Sequence, residues 1–174
     1  YRELGTKQIS SANASVAALW GAIYNTVYIA NFILERLPEV AGVPTTQRNQ
    51  VMGTAYYLRG YAYFIALYTF GGVPEVITTD IETNRNIPRA TEAEILSLII
   101  DDYNEALATL PEEPVNAGFA GEFAVRAAFA RLYLYLGDWN KAVQFSTEVI
   151  DSDQYELEAE FSSLVTEDFT DEAI

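Results

Sequence analysis

Any chemistry in this chain must proceed without histidine or cysteine, because neither occurs in its 174 residues. Their absence removes thiol nucleophiles, disulfides, Ser-His-Asp and Cys-His catalysis and the ordinary Cys/His zinc sites. Carboxylates, tyrosines, lysines and arginines are left. Acidic pairs stand at Asp101/Asp102 and Glu112/Glu113. Neighbours on a helix point about 100° apart, so such pairs do not converge on one bond as a general acid and base must. Asp151-Ser152-Asp153 looks like the opening of a calcium loop, but the glycine and closing glutamate are missing at the required spacing. No catalytic residue, metal site or cofactor is expected.

Aromatic side chains offer different chemistry. The 12 tyrosines and 2 tryptophans can stack on the apolar faces of sugars while nearby polar groups read the hydroxyls. Most of them fall at helical spacing. Tyr57, Tyr61, Phe64 and Tyr68 therefore read as core, and so do Trp20 and Trp139 in helix-packing motifs. Buried tyrosines need hydroxyl partners, and Asn25, Asn31 and Arg59 are expected to supply them. The better ligand candidates are polar residues on a long insert: Thr79, Asp80, Asn84, Arg85 and Asn86. The reading that competes with it is an ordinary solvated loop.

The charge balance narrows the partners. Ten basic against 25 acidic residues give a net charge of −15, which disfavours nucleic acid and anionic lipid. Every charged residue from Asp151 onward is acidic. The chain is 50% hydrophobic and 13% aromatic, a globular rather than disordered composition. No unbroken run of about 18 apolar residues suggests a transmembrane segment, and no signal peptide is evident. The first residue is Tyr1, so residues 1–174 read as one helical domain, a piece of a longer chain.

Periodicity supplies the elements. Val16, Trp20, Ile23, Val27, Ala30, Leu34 and Leu37 trace a helical stripe, with Ser15 as cap and Pro38 as stop. Leu19, Tyr24, Tyr28 and Phe32 widen the stripe and predict a largely buried helix. A second helix over Thr46–Thr69 carries two aromatic stripes with Gly53 and Gly60 between them, a groove for another helix. Turn chemistry at Phe70–Pro74 leads into residues 75–90, which have no helical period; Val76 to Thr79 suit a short extended piece. A capping box, Thr91-Glu92-Ala93-Glu94, opens a third helix that ends at Pro111. After a loop over 112–121, a fourth helix spans Glu122–Leu136, with Glu122 and Arg126 as an i,i+4 pair. Gly137 ends it, and Asp138 caps a fifth helix from Trp139 to Ile150. Phe161, Leu164 and Val165 offer further apolar anchorage, and another helix is expected near Thr170.

Ala130, Tyr133, Gly137 and Ala142 occupy the small, aromatic, turn and small positions of the roughly 34-residue tetratricopeptide pattern. Tyr103, Ala106 and Pro111 fit the end of a second unit whose first helix is Thr46–Thr69. The predicted fold is all-α, antiparallel helix pairs in a tetratricopeptide-like array.

The order of motifs resembles the SusD/RagB family. Trp20-Gly-Ala-Ile-Tyr24 and Ile29-Ala-Asn31-Phe-Ile-Leu34 resemble its "W..lY..I..aN.il" opening. Gly53-Thr-Ala-Tyr-Tyr-Leu58-Arg59, Tyr63-Phe64 and Phe70-Gly-Gly-Val-Pro74 are similar to its "GEA.flRA..yf.L...fG.vP". Arg89-Ala-Thr91, the run from Ile100 to Leu107 and Leu110-Pro111 are similar to its third block, and Ala130 to Ala142 match its repeat-bearing core. Thr54 replaces the usual glutamate and Gly60 the usual alanine, so Arg59 needs another partner. Members of the family are much longer.

The resemblance implies a non-enzymatic outer-membrane lipoprotein that faces outward and caps a SusC-like TonB-dependent transporter. It implies capture of oligosaccharides or other nutrients, with this helical part mainly scaffold and transporter contact. Most sugar-binding aromatics would lie outside this chain, so the chain alone should bind oligosaccharide weakly or undetectably. The alternative is a plain tetratricopeptide protein-interaction module. The chain should hydrolyse no glycan; release of reducing sugar from any oligosaccharide would contradict the carboxylate reading.

Overall fold

A computed structural model of the chain describes residues 5–6, 8–10, 12–111, 114, 116 and 118–155. Its elements are α1 (Ala14–Arg36), a 3-10 turn (Leu37–Glu39), α2 (Thr45–Phe70), α3 (Ile81–Asn84), α4 (Glu92–Thr109), α5 (Glu122–Leu136) and α6 (Trp139–Ile150). The expected third, fourth and fifth helices are α4, α5 and α6. The fold is all-α, and helix pairs pack side by side: α1 on α2, α2 on α4, α5 on α6, with α4 meeting α5 to join the two halves. Expectations beyond Tyr155, and at Glu112 and Glu113, lie outside the described residues.

Local chemistry sets the helix ends. Asn13, not Ser15, caps α1: its side-chain oxygen accepts from the amides of Ser15 (3.0 Å) and Val16 (3.1 Å). Ser15 is itself in the first turn, two residues after a better placed acceptor. At the other end, the Arg48 guanidinium donates to the carbonyls of Leu37 and Val40. It thus adds side-chain donors at the chain end, where the Leu37 carbonyl also accepts from the Val40 amide (3.2 Å). The predicted capping box of α4 is complete, with Thr91 and Glu94 exchanging side-chain and backbone bonds. Gly137 closes α5 at φ 74°, and Asp138 accepts from the Lys141 amide to start α6.

The glycine line of α2 is where α4 comes close. A Cβ on Gly53 would sit 2.6 Å from the Leu110 side chain, and one on Gly60 would sit 2.8 Å from the Tyr103 ring. The core collects around this crossing: Val27, Tyr63, Val73, Ile95, Ile99, Tyr103, Phe129 and Leu132 are buried. The Tyr103 ring meets Phe129 edge-on at 5.1 Å, which ties α4 to α5. Tyr133 fills the α5–α6 gap as its repeat position requires. Its ring stacks on Phe145 at 5.7 Å, with Ala142 buried beside the pair and the Lys141 ammonium 4.5 Å from its centroid. The Glu122–Arg126 pair forms at 3.3 Å, and Arg126 also reaches Glu148 on α6.

Other expectations change. The insert after Pro74 is not devoid of helix: Asp80 accepts from the Thr83 amide and nucleates the one-turn α3. A period-based reading cannot register a single turn. Val76 to Thr79, expected as a short extended piece, carry no helix and pair with no strand among the described residues; the β contact beside them is one antiparallel bridge, Pro74 to Arg89. Helix α1 buries one stripe only. Tyr28 and Phe32 are 53% and 48% exposed, because α1 lies at the edge of the array with α2 and the insert on one side. Ala14–Glu39 is also long and apolar enough, at mean hydropathy 1.3, to cross a membrane by length and composition; counting unbroken apolar runs had missed this. In this fold the segment is one half of a helix pair, and its Asn31 side chain is buried among polar partners.

Gly60→Leu should destabilise the protein by about 3 kcal/mol, the upper end for overpacking. Gly21→Ala, a change at an exposed helical glycine with open space around it, should instead stabilise by about 0.5–1 kcal/mol. Urea midpoints of the two variants against the parent decide; equal midpoints for Gly60→Leu would show that the crossing is looser than the geometry requires.

Candidate functional site

The candidate residues lie on the insert between α2 and α4, and a buried charge holds that insert in place. Arg59, 9% exposed, projects from α2 into the core. Its Nε donates to Asp102 Oδ2 (2.9 Å) and Nη2 donates to Asp102 Oδ1 (2.6 Å), a bidentate pair across to α4. Its Nη1 donates to Asn31 Oδ1 on α1 (2.7 Å), and Asn31 Nδ2 in turn donates to the Val76 carbonyl (2.9 Å). Asp102 is thus the partner that Arg59 needs in place of a glutamate at position 54. Burial pushes the Asp102 carboxyl up, opposed by the Arg59 hydrogen bonds and charge. The neighbouring Asp101 is exposed, so the two acids do point apart.

The hydroxyl partners differ from expectation. Asn31 and Arg59 serve each other and Asp102, not tyrosines. The Tyr63 hydroxyl sits on both backbone groups of Val76, at 3.0 Å to its carbonyl and 2.7 Å to its amide. The Tyr24 hydroxyl donates to the Pro74 carbonyl (2.8 Å), and burial pushes its pKa up to about 12. The insert's backbone needs these donors because no sheet or helix satisfies it there. The Tyr103 hydroxyl is buried with no hydrogen-bond partner among the described residues.

Beyond Val76 the insert turns over the end of α1. The Thr79 amide donates to Glu35 Oε1 (2.8 Å), and the Thr79 hydroxyl bonds to Glu35 Oε2. Glu35, Arg36, Thr78, Thr79, Asp80 and Glu82 line an open polar depression of about 550 Å³ with Ile81. Of the sequence candidates, Thr79 and Asp80 line this depression, whereas Asn84 points back into the insert, donating to the Thr78 carbonyl (2.7 Å). Arg85 is exposed and pairs with Glu82 at 3.0 Å. Asn86 is exposed beside it. The structure therefore does not gather Asn84, Arg85 and Asn86 onto one ligand position. No cluster of three or more acidic side chains suited to a metal ion occurs among the described residues.

The aromatic residues divide. Phe64 is buried, Tyr57 and Tyr61 are half-buried, and Trp20 packs on Phe70 with ring centroids 5.1 Å apart. Tyr68 is 40% exposed and Trp139 is 64% exposed, so neither is core. Trp139 is the first residue of α6 and lies on its outer side, which a motif position alone does not reveal. Sequence reasoning also missed Tyr135, 62% exposed, whose ring centroid lies 4.5 Å from that of Tyr68. Nothing in the spacing within either helix could bring these two together, because they belong to α2 and α5.

Comparison with known proteins agrees with this architecture. A family described as "Starch-binding associating with outer membrane" (SusD-like_3) matches residues 2–134. SusD-like protein P38 of Formosa agariphila is 30% identical over 140 residues, covering 79% of this chain and 27% of that protein. A SusD superfamily protein of Parabacteroides distasonis superposes with a TM-score of 0.85 at 25% identity, over 94% of this chain and 37% of the other. A laminarin-binding SusD-like protein shares the fold at a TM-score of 0.77 and 24% identity, over 86% of this chain and 34% of its own. The chain thus spans about a third, or less, of the length of the proteins it matches.

The Thr79 contacts hold the Glu35 carboxyl below its ordinary value of 4.5. A lowered folded pKa means that this anchor stabilises fully above the unfolded value and is lost as pH falls through the folded one. Glu35→Gln should therefore lower the urea midpoint at pH 7, with the difference from the parent shrinking at about pH 3; a difference that persists unchanged at low pH would contradict the anchor. Family match, relatives and superposition agree with the motifs and with the helical array: the chain belongs to the SusD-like family.

Proposed function

We propose that the protein carrying this chain captures glycans at the outer membrane and hands them to a SusC-like TonB-dependent transporter, without catalysing any reaction on them. The observation that carries the reading is the match of residues 2–134 to a family described as starch-binding and associating with the outer membrane. The chain's own chemistry is compatible with it. It has no histidine or cysteine. The ion pair of Arg59 with Asp102 is closed inside the core. That leaves binding, and hydroxyl-rich neutral ligands suit a strongly acidic surface better than phosphates do.

In this reading the array described above is mainly scaffold and transporter contact. The protein is anchored by lipid to the outer face of the membrane. The insert residues Asn84, Arg85 and Asn86 contribute ligand contacts at most singly, since Asn84 bonds to the Thr78 carbonyl, Arg85 pairs with Glu82 and Asn86 is exposed beside them.

The test uses the whole protein. Calorimetry against starch, β-glucan and xyloglucan oligosaccharides should give binding to at least one class with no product formed. Detergent extraction from its native membrane should recover a TonB-dependent transporter with it. Absence of binding to every glycan, together with a preparation free of transporter, would overturn the reading.

A further inference from the structure

Three aromatic rings meet where the C-terminal ends of α2 and α5 lie together. Phe64 forms the floor: it is 4% exposed, with its centroid 4.8 Å from Tyr68 and 5.6 Å from Tyr135. Above it the rings of Tyr68 and Tyr135 lie 4.5 Å apart and inclined by 43°. They are 40% and 62% exposed. Two large rings in contact with each other and with solvent are an unusual use of apolar surface.

The surroundings are polar. Burial, then Tyr135, then Glu92 push the Tyr68 hydroxyl up from its ordinary value, so it remains a hydrogen-bond donor. The exposed Glu92 carboxylate opens α4, close to the turn at Gly71. Two inclined rings with phenol hydroxyls and a carboxylate at the border match the needs of a pyranose. Its C–H face seeks an aromatic surface, and its equatorial hydroxyls seek donors and acceptors. Another exposed ring pair among the described residues, Tyr28 and Phe32, suits this poorly. Those centroids are 6.5 Å apart on one helix, with the apolar Ile29 exposed next to them.

We propose that Tyr68 and Tyr135 form a stacking platform for one pyranose unit of an oligosaccharide, with Glu92 accepting hydrogen bonds from its hydroxyls. This rests on the glycan-capture reading above and adds a subsite within this chain. A single platform binds weakly, which agrees with the weak or undetectable binding expected of the chain alone.

The experiment is calorimetry on the whole protein with the starch, β-glucan and xyloglucan oligosaccharides. Tyr68→Ala and Tyr135→Ala are compared with the double variant Tyr68→Phe, Tyr135→Phe, and circular dichroism verifies that each is folded. Each alanine variant should weaken the best ligand by about tenfold, and the double phenylalanine variant, which keeps the rings, should stay within about threefold of the parent. Glu92→Gln should weaken binding less than either alanine change. Unchanged affinity in both folded alanine variants would overturn the platform and leave glycan capture standing. A parent that binds no glycan at all would overturn the platform, and the capture reading with it when the preparation also holds no transporter.

Discussion

A guanidinium sealed inside a helical core is the constraint on which the rest of this structure depends. Arg59 cannot lose its charge at any accessible pH, so its burial demands full pairing from whatever surrounds it. Asp102 from α4 supplies two bonds and Asn31 from α1 a third. Removing one member of such a pair leaves an uncompensated buried charge, which typically costs about 3–5 kcal/mol. The network therefore links three helices at one point. It also explains the glycine beside the arginine. A Cβ at Gly60 would come within 3.1 Å of Asp102 Cβ, so the bare backbone at residue 60 is what lets α4 bring its carboxylate within reach of Arg59.

The same network reaches outward into the insert. Asn31 accepts from Arg59 and donates from its side-chain amide to the Val76 carbonyl, and Tyr63 and Tyr24 bond to the backbone of Val76 and Pro74. A connection this long without regular structure would otherwise carry unsatisfied backbone groups against the core. Here it is tied down at Pro74, Val76 and Thr79 in turn, the last by Glu35. These ties fix the path of the insert along the edge of the array. Its polar side chains are largely spent on the insert itself: Asp80 starts α3, Asn84 bonds to Thr78 and Arg85 pairs with Glu82.

The α5–α6 pair follows a different logic. It has no buried ion pair. Stacked rings of Phe129, Tyr133 and Phe145 and the small Ala142 let the two helices close on each other, as expected where a repeat unit buries a shared face. The outward sides of this pair and of α1 keep large apolar residues in solvent, among them Ile29, Leu134, Val143 and Ile150. In a chain that spans 27% of one relative and 37% of a structural neighbour, these surfaces and the exposed Tyr68–Tyr135 pair distinguish the array from a closed bundle.

What could be read in the sequence was local. Apolar period, the Thr91–Glu94 capping box, the Gly137–Asp138 turn and the small-aromatic-small pattern around Tyr133 each act within a few residues, so helix boundaries and the paired repeat were legible, and so was the family through its motif order. The glycine line of α2 even announced a close crossing. What crosses there was not legible, because Asp102 reads in one dimension as a polar break in an apolar stripe. Only the approach of α4 makes it the partner of Arg59, 43 residues away in the chain. The exposure of α1, the position of Trp139 and the meeting of Tyr68 with Tyr135 likewise depend on which faces neighbouring helices cover. Helical period shows that a residue lies on a stripe; whether that stripe is buried is decided by long-range packing.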